Sequence, residues 1–142
     1  MGIRDQDLEN VGAVFATFYI KQTAGVDDLK DAQLEKAVIV TSNNTIGLAT
    51  DGSKILGKLI DISFTDLEST INQKRLATVQ IIGVMTLPIT TTNPVVGNQV
   101  VGGASGTVKQ SPVLTGYDPA GGNIARGFVL SVDGTSYCTL IL

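Results

Sequence analysis

The chain has no histidine, no tryptophan and a single cysteine, and aromatic residues make up only 5% of it. Without histidine, Ser–His and Cys–His catalysis are excluded, as is a histidine-ligated metal. The lone Cys138 cannot form a disulfide within the chain, and its setting in "SYCTLIL" marks a small buried apolar residue rather than a reactive thiol. A sugar-stacking platform lacks rings, because Tyr19, Tyr117 and Tyr137 are far apart in sequence. The longest apolar runs fall well short of the ~20 residues that cross a bilayer as a helix, and no basic-then-apolar leader opens the sequence. A soluble protein with no membrane partner is therefore expected. The net charge is −3, and the basic residues are scattered apart from Lys74-Arg75, which argues against nucleic acid as a partner.

What is present points to β structure. A length of 142 residues suits one core, and 43% hydrophobic against 16% charged residues excludes a disordered chain. Sixteen glycines with abundant Val, Ile and Thr predict many short strands joined by tight turns. The expected fold is mainly β, a small β-barrel or β-sandwich with one short helix and an N-terminal arm. Residues 1–25 read as the arm and first strand, and 26–142 as a single β-rich domain.

Along the chain, the polar "MGIRDQDLEN" forms the arm, and "VGAVFATFYIKQ" is read as a strand because β-branched and aromatic residues dominate it. "VDDLKDAQLEKA" predicts a short helix capped by Asp27 or Asp28. "AVIVTSNNTIGLA" predicts a hairpin about Asn43-Asn44, since asparagine tolerates the left-handed backbone of a tight turn. "DLESTINQKRL" is a polar connection. "TVQIIGVMTLPI" reads as one strand ended by Pro88, which cannot donate to a ladder. Turns are expected at Gly97-Asn98 and Ser105-Gly106, an exposed loop over "SPVLTGYDPAGGN", and a closing hairpin about Asp133-Gly134. Gly57 and Gly127 precede strands of similar apolar pattern. An internal repeat and a chance likeness of strand-rich segments both fit; a repeat predicts two similar β-layers, packed face to face or closed into a barrel.

Carboxylates are the main groups left for chemistry. Asp27, Asp28, Asp31 and Glu35 cluster but lack the glycine turn of a calcium loop, so they read as a solvated face. Asp51, Asp118 and Asp133 each adjoin glycine or proline, which turn formation explains. "VGGASG" and "AGGN" lack the lysine of a phosphate-binding loop. Arg126, before Gly127, reads as a solvated arginine or a subunit contact. No catalytic residue, metal ligand or cofactor site is assigned, and an enzyme is not expected.

The order of strand cores resembles phage capsid cement (head decoration) proteins. "TVQIIGVMTLP" is similar to that family's central strand through Val79, Gly83, Val84, Leu87 and Pro88. "PVVGNQVV" with "GTVKQ" and "IARGFVLSVDGTSYCTLIL" resemble its later hairpins, and the likeness runs from about Leu34 to Leu142. The chain departs from the family in its ten-residue polar start and in the longer "VDDLKDAQLEK" and "FTDLESTINQKRL". The resemblance implies a compact β fold, made in the host cytoplasm, that assembles as a homotrimer on the virion's capsid exterior and binds major capsid protein. Apolar strands with free sheet edges also favour self-association. The alternative is a receptor- or carbohydrate-binding β-module of the virion surface.

Overall fold

The computed structural model describes residues 10–64, 75–90, 92–112 and 124–142. The expected arm up to residue 9, most of the polar connection, the loop at 113–123, and with them Tyr117 and Asp118, lie outside the described residues. The protein is mainly β. Among the described residues the strands are β1 (Val14–Ile20), β2 (Gln22–Thr23), β3 (Val26–Asp27), β4 (Ala37–Ser42), β5 (Thr45–Leu48), β6 (Gly57–Phe64), β7 (Arg75–Ile82), β8 (Val84–Pro88), β9 (Val100–Gly102), β10 (Val108–Gln110), β11 (Phe128–Asp133) and β12 (Tyr137–Ile141).

Five strands form a closed barrel in the order β1-β5-β4-β6-β7, with β7 returning to β1. All neighbours are antiparallel except β1 and β5. Closure leaves this sheet no free edge, so the expectation that unpaired edges drive self-association does not apply to it. The barrel is filled by Ile20, Leu29, Val38, Ile46, Leu59, Ile62, Ala77 and Val79. Each fully buried leucine or isoleucine contributes about 2–3 kcal/mol by leaving water.

Strands β8 to β12 repeat that topology, while β2 and β3 pair only with each other. β11, β12 and β8 form one antiparallel sheet and β9 pairs with β10. A parallel bridge from Ile89 to Val108 joins β8 to β10, and an antiparallel bridge from Val100 to Arg126 joins β9 to the approach of β11. The second order is thus β8-β10-β9-β11-β12, with β12 back on β8, matching the first strand for strand and sense for sense. Single bonds recur as well. Lys21 N–H donates to Ile46 O as Thr90 N–H does to Val108 O, and Leu59 N–H to Lys36 O as Val129 N–H does to Asn98 O. The register shift of β6 between Leu59 and Asp61 recurs in β11 between Val129 and Ser131.

The second core is Met85, Leu87, Ile89, Val100, Val108, Val129, Cys138 and Leu140, joined by Ala37, Ala49 and Ile55 of the first half. Ile89, Val100, Val108, Val129, Cys138 and Leu140 stand where Ile20, Val38, Ile46, Leu59, Ala77 and Val79 stand in the barrel. The repeat is one of topology and core position, with few identities, among them Thr17 with Thr86 and Gly57 with Gly127.

Two local expectations change. "TVQIIGVMTLPI" is not one strand: it splits at Gly83 into β7, the last stave of the barrel, and β8, the first strand of the second ring. Gly83 takes φ +109°, and a Cβ there would lie 2.8 Å from backbone atoms of Val11, Gly12 and Ala13. Gln80, fully buried, donates from Nε2 to Ile82 O and Val84 O across that corner. In place of a helix over Val26–Ala37 there is β3 and a single 3-10 turn, Asp31–Gln33. Leu29 is wholly buried in the barrel, and that burial outweighs helix propensity. The turn is capped by the Lys30 N–H, which donates to Gln33 Oε1 at 2.7 Å, rather than by Asp27 or Asp28.

Elsewhere the local reading matches. β1 is a strand, β4 and β5 turn at Asn43-Asn44 with Asn44 at φ +53°, and β11 and β12 turn at Asp133-Gly134. Ser105-Gly106 joins β9 to β10, whereas Gly97-Asn98 is a turn that bonds to Val129 of β11 rather than closing a hairpin.

Candidate interaction surfaces

Of the acidic residues singled out from sequence, Asp27 bonds through its carboxylate, while Asp28 and Glu35 are placed through their backbone. Asp27 accepts a hydrogen bond from Gln22 Nε2 at 2.9 Å across the β2–β3 pair. Asp28 donates its N–H to Lys21 O, and Glu35 donates its N–H to Leu59 O. Among the described residues no three Asp, Glu, Cys or His side chains are grouped to hold a metal. Asp51 does more than form a turn: it pairs with Lys109 Nζ at 2.6 Å, linking the first half to β10. Its carboxylate is exposed, so that pair contributes at most about 1 kcal/mol.

Cys138 is buried, and desolvation pushes its thiol up to about 12. The thiolate needed for reaction is thus suppressed. Tyr19 and Tyr137 are both half exposed, on β1 and β12. Tyr19 borders an open groove with Lys21, Gln22, Ser42 and Thr45. No helix among the described residues is long and apolar enough to cross a membrane.

Large apolar side chains are exposed along the line where the halves join. Val11, Val14, Phe15, Ile82, Phe128 and Ile141 are each 42–52% exposed. Backbone pairing links five of them: Val14 opposes Ile82, Ile141 opposes Phe128, and the buried Val84 lies between Ile141, which it opposes, and Val11, to whose O it donates its N–H. Val95 and Val96, also exposed, precede Gly97, which packs near Phe128. Sequence reading placed these residues in strands but had no means of telling that they face outward, since each strand is apolar on both faces.

Arg126 lies at the junction of the two halves. Its Nη1 donates to Ile55 O at 3.0 Å and Leu56 O at 2.8 Å, and its Nη2 to Ile81 O at 3.3 Å. It is neither freely solvated nor ion-paired to a described residue. Burial lowers its pKa from the ordinary arginine value by desolvation. Beside it Val40, Lys54, Ile55 and Leu56 line an open pocket of about 470 Å³.

Comparison of the chain with protein-family models, curated proteins and solved structures finds no match.

Proposed function

We propose that the protein is a structural capsid cement protein, binding the outer surface of an assembled phage head as a homotrimer and stabilising contacts between major capsid subunits. The observation that supports this most is the strip of exposed apolar side chains, Val11 to Phe128, carried on a fold tied by closed backbone hydrogen bonding. Such a strip has a rigid base and loses little conformational entropy when covered. The likeness of strand order to head decoration proteins supplies the partner. A negative net charge keeps a protein made at high copy number soluble, and a trimer touching several shell subunits needs only modest affinity per contact.

Two measurements test the reading. Size exclusion with light scattering is expected to give three chain masses; a clean monomer at micromolar concentration removes the trimer. Pelleting with undecorated capsids is expected to carry the protein down in a saturable ratio, and protein left in the supernatant at all concentrations refutes cementing. The groove beside Tyr19, with its amide and hydroxyl lining, favours the alternative of a receptor- or carbohydrate-binding module. Binding to host-cell envelopes without binding to capsids selects that alternative.

A further inference from the structure

We propose that the pocket formed by Val40, Lys54, Ile55, Leu56 and Arg126 receives a carboxylate side chain from a partner protein, an aspartate or glutamate flanked by apolar residues. This deepens the interaction role above and rests on it for the existence of a protein partner.

The first ground is charge. Lys54 and Arg126 bring two cations to one concavity in a chain of net charge −3, and neither pairs with an acid among the described residues. The second is donor arithmetic. A guanidinium has five N–H donors, and the carbonyls of Ile55, Leu56 and Ile81 take three. Nε and one N–H of Nη2 have no acceptor among the described residues, and the three bonds hold the group's plane in place. A planar carboxylate accepts from two such N–H groups at once, and little side-chain entropy remains to be lost on binding.

The third ground is the wall. Ile55 is buried, Leu56 half-buried and Val40 53% exposed, so an acid entering with apolar flanks covers hydrocarbon while it displaces water from the ion pair. Excluding water strengthens the attraction. A pocket of about 470 Å³ falls in the range that encloses small ligands or side chains. An inorganic phosphate would use the charges but leave the wall uncovered.

The fourth ground is asymmetry. The residue before Gly57 is Leu56 and the residue before Gly127 is Arg126. Each donates its backbone N–H to an equivalent carbonyl, Val38 O and Val100 O. A leucine therefore suffices for the backbone role in one half. The arginine's charge is additional in the other.

The test uses the full chain and three probes, followed by amide shifts of 54–56 and 126 in two-dimensional NMR. The probes are the capped tripeptide acetyl-Leu-Glu-Val-amide, its Gln counterpart, and inorganic phosphate. Saturable shifts with the Glu peptide are expected, with affinity at least about tenfold above the Gln peptide, a difference of about 1.4 kcal/mol. Lys54→Glu, at an exposed position, is expected to abolish them with an unchanged melting temperature. Arg126→Lys, which keeps the charge and loses the fork, is expected to weaken them several-fold. If Arg126→Lys does not fold, Lys54→Glu still decides. Absence of saturable shifts, equal binding of the Gln peptide, or phosphate binding as tightly as the Glu peptide overturns the proposal. Because no capsid is present, failure of capsid pelleting with a positive peptide result counts against cementing and leaves the pocket standing.

Discussion

Replacing Gly57 by alanine tests the close approach on which the barrel depends. The glycine begins β6 and faces β7; a Cβ there would lie 1.9 Å from Gln80 O and 2.9 Å from its carbonyl carbon. Both obstacles are backbone, so no side chain can turn aside, and β7 would have to retreat by about 1 Å to reach a tolerable contact. That retreat pulls Val79 from Leu59 and stretches the adjacent ladder bonds. Overpacking of this kind costs roughly 1–3 kcal/mol. Weakening one or two backbone bonds adds about 1 kcal/mol each. The expected loss is therefore about 2–5 kcal/mol, or on the order of 10 °C in melting temperature for a chain of this size. Two further glycines separate sterics from backbone strain. Gly134 has φ +57° and nothing within 4 Å of a Cβ, so Gly134→Ala should cost only the left-handed conformation, about 1–2 kcal/mol. Gly127, the counterpart of Gly57, combines φ +76° with Ile141 O at 2.8 Å and should fall between about 2 and 4 kcal/mol. Urea unfolding of the three variants measures the order. The reasoning fails if Gly57→Ala lies within 1 kcal/mol of the parent or is no worse than Gly134→Ala.

Other expectations follow from the same structure. Glu35 holds φ +70° at the place where the second half has Gly97 at φ +90°, so Glu35→Gly should stabilise by up to about 1 kcal/mol in urea melts. Cys138 has its folded pKa raised to about 12 from an ordinary 9.0, so its contribution is intact below pH 9. It is lost at about 1.4 kcal/mol per unit as pH rises from 9 towards 12, and Cys138→Ala should remove that slope from alkaline unfolding curves. Changing Asp27, Asp28, Asp31 and Glu35 together to Asn or Gln should leave the circular dichroism spectrum intact and cost about 1 kcal/mol; an ion found by elemental analysis and lost in the variant would contradict their structural assignment. Deleting residues 1–9 should leave the melting temperature near normal, because the bond from Asn10 N–H to Val84 O, which ties the start of the described chain to β8, is kept. If those residues form an arm to the shell, capsid pelleting weakens on deletion.

The sequence by itself determined what is local. Turns at Asn43-Asn44, Ser105-Gly106 and Asp133-Gly134 were legible because left-handed backbone selects asparagine and glycine whatever surrounds them. β1 was legible from β-branched and aromatic composition, and the inert Cys138 from its apolar neighbours, a reading explained by its place in the second core, equivalent to that of Ala77 in the barrel. Tertiary structure decided the rest. Leu29 drew "VDDLKDAQLEKA" out of a helix because barrel burial exceeds the small differences in helix propensity. Gly83 divided "TVQIIGVMTLPI" because the Val11–Ala13 backbone passes against it, a contact 70 residues distant in sequence and invisible to periodicity. The two halves share strand order, a bulge and core positions while sharing few residues, since a barrel interior asks only for apolar volume at each place. Arg126 was one arginine among scattered cations until the fold brought the carbonyls of Ile55, Leu56 and Ile81 around it. Hydrogen-bond geometry to backbone leaves no mark on the identity of the residues that supply it.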